Sequence, residues 1–238
     1  MPRVGETSAV AARWQEAPPD APAAAIGAHL YPVYDPAEYL ADRVIHVLGV
    51  TFGVVGSIAI VILAAETSRP LGIVATSLYA ASLLAMVGFS AAYNLAKPSP
   101  AREILRRLDH ATIFFLIAGT HSAITLGRID TAWSQWLAIV AWTIAIIGAT
   151  MKIVYPRRFE RVAVAAYVAL GLLVFFSLAP LMSSLSVAVS TLVTIGSVLY
   201  ISGVLFHLWD GLRFQNAIWH GLVLCAACCH YTAVVLNM

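Results

Sequence analysis

Charged residues are scarce in this chain, and their scarcity excludes a soluble globular protein. Only 11% of the 238 residues are Asp, Glu, Lys or Arg, whereas soluble domains carry about 25%. The net charge of +2 is also too small to favour nucleic acid as a partner. Hydrophobic residues make up 61% of the chain and the mean hydropathy is +0.85. The composition indicates a membrane protein whose main partner is lipid.

Cysteine is nearly absent as well. The chain has three, Cys225, Cys228 and Cys229, all within one apolar stretch. A CxxC spacing is typical of redox or metal sites when a second CxxC accompanies it. Without one, these side chains are better explained by close packing between membrane helices.

Long apolar runs are abundant. A helix needs about 20 residues to cross the hydrocarbon core of a bilayer. Seven such windows follow one another: Val44–Ala64, Leu71–Leu95, Leu108–Leu126, Ala132–Val154, Val162–Leu181, Val187–Trp209 and Ile218–Leu236. The sequence therefore predicts an all-α, polytopic membrane protein, with residues 36–238 forming a seven-transmembrane-helix bundle. Residues 1–35 are rich in Ala and Pro and are expected to be a disordered tail.

Positive charge is distributed unequally between the two sides of this bundle. Only Arg69 and Arg128 lie on one side. The other twelve cations lie on the opposite side and are Arg3, Arg13, Arg43, Lys97, Arg102, Arg106, Arg107, Lys152, Arg157, Arg158, Arg161 and Arg213. The positive-inside rule then predicts a cytoplasmic N-terminus and an outside C-terminus. We expect a multi-pass protein of the inner or plasma membrane.

Polar residues gather at the predicted inner end of the first window. The segment Asp-Pro-Ala-Glu at 35–38 is typical of a helix start. If that helix continues, Glu38, Asp42 and His46 share one stripe. A carboxylate one turn before a His can hold the ring in one tautomer, as at metal sites. A polar stripe that solvates an interfacial turn is the alternative.

The second and third windows add polar residues at the same depth. Ser90 and Asn94 share a helix face, although such pairs also join membrane helices by hydrogen bonds. Asp109 is a carboxylate within a spanning window, and one at mid-bilayer costs roughly 2.5–3.5 kcal/mol. It is therefore a candidate site residue, unless Arg106 or Arg107 pairs with it at the interface.

The last two windows contribute histidines. Asn216 and His220 share a face at the inner end of the seventh window. His207 closes the sixth window and either joins them or extends to water. His121 and His230 lie far from this depth and are expected to be hydrogen-bonded core residues. The convergence at one depth indicates a site.

Five groups of residues occur in a recognisable order. They are Glu38…Asp42…His46, Ser90-Ala91-Ala92-Tyr93-Asn94, Leu108-Asp109-His110 followed by Ile117-Ala118-Gly119-Thr120, Tyr200-Ile201-Ser202-Gly203, and Ile218-Trp219-His220…His230-Tyr231. In order and spacing they resemble the hemolysin III family of the progestin and adipoQ receptor superfamily, which includes the adiponectin receptors. The resemblance covers about residue 36 to the end and implies an inside N-terminus.

The resemblance implies a zinc site at the inner end of the bundle. Its ligand positions correspond to Asn94, Asn216 and His220 of this chain, where the family has three histidines. It also implies that Ser90 and Asp109 are catalytic residues of a lipid amide hydrolase, in which the Asp moves protons.

This chain departs from the family at the ligand positions. Two expected imidazoles are carboxamides, and the family's Asn between Glu38 and His46 is Asp42. Zinc in proteins is held by Cys, His, Asp or Glu. The site is therefore lost, or rearranged, or taken by a harder cation that accepts Asn and Asp oxygens. A rearranged site would recruit His46, His207 or His110 together with Asp109 and His220.

Two functions and a weaker third remain open. The first is a metal-dependent intramembrane hydrolase of a lipid amide or ester. The second is a non-catalytic sensor or scaffold of the same fold. A pore-forming, cytolytic protein is suggested by the family's name alone, because charged residues line no single helix along its length. Protein partners are not predicted.

Overall fold

The computed structural model describes residues 34–97, 99–126, 131–155, 158, 160–178, 185–209 and 211–238. Within these ranges seven α-helices and no strands are present. The helices are α1 (Pro36–Thr67), α2 (Pro70–Leu95), α3 (Pro100–Leu126), α4 (Ala132–Val154), α5 (Glu160–Leu178), α6 (Val187–His207) and α7 (Gln215–Leu236). The predicted all-α fold is confirmed. The expected disordered tail spans residues 1–35, and its residues 1–33 lie outside the part of the chain that the structure describes.

The first helix begins where the sequence predicts. The Asp35 carboxylate accepts hydrogen bonds from the backbone N–H groups of Ala37, at 2.8 Å, and Glu38, at 2.9 Å. Glu38 in turn accepts a hydrogen bond from the Asp35 N–H at 2.8 Å. With Pro36 at the first helical position, this capping box satisfies N–H groups that a helix start leaves without partners.

The helices pack in chain order and close into a ring. Each helix contacts the next, and α1 contacts α7. The third helix also contacts α5 and α7, so it lies at the centre of the bundle. Five helices in the described ranges, α1, α2, α4, α6 and α7, are long and apolar enough to cross a membrane. Their outward side chains are apolar too, as Val55, Ile58 and Ile62 illustrate on α1.

The central position of α3 explains why it is less apolar than its neighbours. It buries eight polar or charged residues along its length, namely Arg102, Arg106, Asp109, Thr112, Thr120, His121, Ser122 and Thr125. A membrane helix tolerates polar groups where other helices shield them from lipid. In α5 the apolar stretch that the structure describes is Val162–Leu172. The chain is thus a multi-pass membrane protein, while its orientation across the membrane stays a prediction.

Candidate functional site

Polar side chains of α1, α2, α3 and α7 meet where α1, α3 and α7 begin and α2 ends. We call this the site end of the bundle. The side chains brought together are those of Asp42, His46, Ser90, Asn94, Asp109, Asn216 and His220. Asp42, His46, Ser90, Asp109 and His220 are each 9% exposed or less. Residues up to 178 positions apart in sequence therefore share one buried region.

Asp42 of α1 is the centre of this region. Its Oδ1 lies 2.7 Å from His220 Nδ1, and its Oδ2 lies 3.4 Å from His46 Nε2. The same Oδ2 accepts a hydrogen bond of 3.1 Å from the Asn216 side chain. The rings of His46 and His220 lie side by side, with centroids 4.4 Å apart. One carboxylate thus contacts two imidazoles and one carboxamide.

The two carboxamides at the expected ligand positions belong to the same network. Asn216 Nδ2 also donates to Asn94 Oδ1 at 3.3 Å. Asn94 Nδ2 donates to the backbone carbonyl of Ser90 at 2.9 Å. A chain of hydrogen bonds therefore runs from α2 through α7 to Asp42 on α1.

Ser90 and Asp109 lie beside this network on α2 and α3. The Ser90 side chain interacts with the Asp109 carboxylate, which is also within electrostatic range of Asp42 and His220. Arg106, considered above as a partner of Asp109, pairs with Glu103 at 3.0 Å and is also within electrostatic range of Asp109. Ser90 and Asp109 therefore lie close to the group around Asp42 and His220.

Several other histidines lie elsewhere. His207 is exposed, with its ring centroid 5.0 Å from that of Trp219, so it does not join the group around Asp42. His110 contacts α5 through its backbone carbonyl. His230 Nε2 lies 3.2 Å from a backbone carbonyl of α6, as expected of a hydrogen-bonded core residue. His121 is buried, but neither ring nitrogen has a hydrogen-bond partner among the described residues.

Asp42, His46 and His220 have the composition and spacing of a metal site. One ligand atom from each lies within 4.8 Å of the others, and no other such group occurs in the described ranges. Two imidazoles and a carboxylate are typical zinc ligands. His46 Nε2 is buried, and although Asp42 Oδ2 lies 3.4 Å away, this nitrogen makes no well-formed hydrogen bond within the part of the chain that the structure describes. A buried ring nitrogen without a good hydrogen bond is costly, and the donor set therefore fits a divalent transition metal.

A small cavity adjoins these imidazoles between α1, α2 and α7. Its volume is about 30 Å³, and its polar lining is formed by His46, Ser90 and His220. A water molecule needs roughly 10–15 Å³ of cavity volume. The remaining lining is mostly apolar and includes Ile45 and Leu224. A water or a small ion therefore fits next to the serine and both rings.

The part taken by Asp42 is the main feature that the sequence pattern did not predict. The stripe on α1 predicts contact between Asp42 and His46, whereas the shortest contact of Asp42 is with His220 on α7. The sequence did contain an indication of this role. Position 42 has Asp where the family has Asn, in the same chain that has Asn94 and Asn216 in place of histidines.

Comparisons with known proteins cover most of the chain. The family described as Haemolysin-III related matches residues 40–231. The Hemolysin-3 homolog of Bacillus subtilis (strain 168) is 30% identical over 187 residues, which is 79% of this chain and 88% of the relative. Hemolysin-3 of Bacillus cereus is also 30% identical over 187 residues, covering 79% of this chain and 85% of the relative. No solved structure matches.

Proposed function

Because the chain belongs to the haemolysin-III related family, we propose that it is a metal-dependent hydrolase that acts within the membrane on a lipid amide or ester. One observation supports this proposal above the others. The buried donor set of Asp42, His46 and His220 lies beside the interacting pair of Ser90 and Asp109. Metal donors next to a serine and an acid are a typical arrangement for hydrolysis.

The metal ligands in this proposal are the Asp42 carboxylate and the rings of His46 and His220. A bound Zn²⁺ would polarise the carbonyl oxygen of the substrate as a Lewis acid. Asn94 and Asn216 support the ligands instead of binding metal. Asn216 donates to Asp42 and to Asn94, which keeps the carboxylate turned toward α7.

Proton transfer falls to Asp109 in this proposal. Its carboxylate takes a proton from the attacking water and returns it to the leaving nitrogen or oxygen. Ser90 interacts with this carboxylate and also lines the cavity, so it connects the acid to the space where a water would be held. The site end lies near one end of spanning helices, a depth that suits a bond close to the lipid headgroup.

Metal content is the first test. The full chain would be purified in mild detergent without chelator and analysed by plasma mass spectrometry, beside Asp42→Ala and an exposed-histidine control, His207→Gln. About one equivalent of metal is expected in the wild type and the control, and little in Asp42→Ala. Less than about a tenth of an equivalent in the wild type, before and after zinc addition, would overturn the proposal.

Hydrolysis is the second test. Liposomes containing a long-chain N-acyl amide or a phospholipid ester would be incubated with the same proteins, and released fatty acid measured by mass spectrometry. Release by the wild type and His207→Gln, but not by Asp42→Ala, is expected. Equal release by all three proteins would show that the activity does not depend on this site.

A non-catalytic sensor or scaffold is the second candidate, and the asparagine network favours it. Asn94 and Asn216 hydrogen-bond to each other at 3.3 Å, and Asn216 and His220 both contact the Asp42 carboxylate directly. These groups are therefore largely satisfied within the chain. Full cellular function of Asp109→Ala and His220→Ala variants would favour this candidate over the hydrolase.

A further inference from the structure

Glu38 connects the start of α1 to the start of α7. The residue is only 4% exposed. Its Oε2 accepts a hydrogen bond from the Asp35 N–H and its Oε1 accepts one from the Phe214 N–H, each at 2.8 Å. The two acceptor atoms of one carboxylate therefore hold backbone groups that lie far apart in sequence.

The start of α7 needs such a partner. Phe214 is the N-cap of α7 and provides no side-chain cap. Its φ of 60° and ψ of 16° lie in the left-handed region, and among the described residues it is the only non-glycine with positive φ. That conformation is unfavourable for a bulky residue. A carboxylate at a helix N-terminus is favourable, and Glu38 provides an acceptor for the N–H of the residue at which α7 begins.

A second contact between the same two segments is weaker. Arg213 Nε lies 3.3 Å from Asp35 Oδ2, but these side chains are 67% and 41% exposed. Exposed ion pairs contribute little to stability. The hydrogen bond from the Phe214 N–H to Glu38 is therefore the stronger of these two contacts, and it lies beyond the Asp42 contacts with Asn216 and His220, at the very start of both helices.

This connection matters because the three proposed metal ligands come from α1 and α7 alone. Asp42 and His46 follow Glu38 by one and two helical turns on the same stripe. His220 lies six residues after Phe214. A shift or rotation of α7 at its start would therefore change the distances from His220 to Asp42 and His46.

We propose that Glu38 is a positioning residue that fixes the start of α7 against α1 and so sets the spacing of Asp42, His46 and His220. The inference rests on the proposed metal-dependent function for its binding readout. Its structural part, the contact with Phe214, is open to a test that needs no metal.

Zinc affinity is the binding readout. Glu38→Gln keeps the size of the side chain, but its amide nitrogen would face one of the two N–H donors, so one hydrogen bond is lost. Glu38→Ala loses both. We expect the Kd for Zn²⁺ to rise about tenfold in Glu38→Gln and up to about 100-fold in Glu38→Ala, the range seen for outer-shell changes. Glu66→Gln, at an exposed position near the other end of α1, is the matched control and should bind like the wild type.

A rescue variant separates positioning from general damage. Glycine adopts positive φ without steric cost, so Phe214→Gly should recover part of the affinity lost in Glu38→Ala. Phe214→Gly alone should bind zinc like the wild type. Failure of the double variant to bind more tightly than Glu38→Ala would contradict the explanation through Phe214.

Hydrogen exchange on the metal-free proteins is the independent readout. The amides of residues 214–216 should exchange at least about tenfold faster in Glu38→Ala than in the wild type. If the alanine variant does not fold, Glu38→Gln takes its place. In the control, Glu66→Gln, the exchange rates should be unchanged. If the wild type binds no zinc but the amides of the Glu38 variant still exchange faster, the Glu38 contact is supported and the metal proposal is overturned. If the wild type binds zinc, and Glu38→Ala changes neither the zinc affinity nor the amide exchange rates, the positioning role of Glu38 is overturned.

Discussion

His220 Nδ1 lies 2.7 Å from Asp42 Oδ1, which joins α7 directly to α1. The contact is buried on both sides, since both residues are 9% exposed or less. A carboxylate at position 42 accepts from the ring and from Asn216 at the same time. The family's Asn offers one acceptor oxygen only. The acid at this position is therefore suited both to the histidine and to a cation.

The first prediction concerns the charge of Asp42. Asp42→Asn keeps the shape of the side chain but replaces a carboxylate ligand by a neutral amide, a poor ligand for zinc. We expect the Kd for Zn²⁺ to rise about 100-fold or more, which is about 2.7 kcal/mol. Competition with a fluorescent chelator measures the change. Unchanged affinity would remove Asp42 from the ligand set.

The second prediction restores the expected histidines. An Asn94→His/Asn216→His double variant should bind Zn²⁺ at least about tenfold more tightly than the wild type, because imidazoles replace amides at two positions beside Asp42. In that background Asp42→Asn should have little effect on the affinity. An equal loss from Asp42→Asn in both backgrounds would contradict the view that Asp42 compensates for the missing histidines.

The seven helices could be predicted from sequence because apolar windows of about 20 residues with short connections leave few alternatives. The start at Asp35 was equally clear, since capping residues act locally. The contact between Asp42 and His220 could not be predicted. Residue spacing assigns a side chain to a helix face, but the rotation of that face toward a distant helix depends on packing. The central position of α3 could not be predicted either, because the apolar window Leu108–Leu126 does not itself show which helix the others surround.

The third prediction concerns Ser90 and Asp109. If Asp109 transfers protons, Asp109→Asn should lower kcat by about 10²–10⁴-fold. Ser90→Ala should have a smaller effect in the same direction, because it removes the partner that orients the acid. Zinc content should stay the same in both variants, since neither residue belongs to the ligand set. Fatty-acid release and metal analysis on one preparation test this, and loss of metal from Asp109→Asn would argue against the assigned role.

The fourth prediction concerns pH and the cap of α1. The Glu38 N–H that donates to Asp35 lowers the pKa of that carboxyl from its ordinary 3.8. The cap therefore stabilises the fold above the ordinary pKa, and its contribution is lost as the pH falls through the lowered value. An Asn cap is of similar strength and does not titrate. Thermal unfolding should distinguish wild type and Asp35→Asn only below about pH 4, with the wild type less stable there.

The fifth prediction compares two histidines, one buried and one half-buried. His121 is 1% exposed and lacks a hydrogen-bond partner within the described ranges, whereas His230 bonds to the Val193 carbonyl. Leaving a buried polar group unpaired costs about 1–3 kcal/mol. His121→Leu should therefore raise the Tm in detergent, and His230→Leu should lower it. The reverse order would show that His121 has a partner.

The polar central helix has a consequence for the biogenesis of the protein. Released alone into lipid, α3 would expose Asp109 and His121 to hydrocarbon, where such groups are costly. Its contacts with α2, α4, α5 and α7 remove that exposure. We therefore expect α3 to enter the bilayer more favourably together with neighbouring helices than alone.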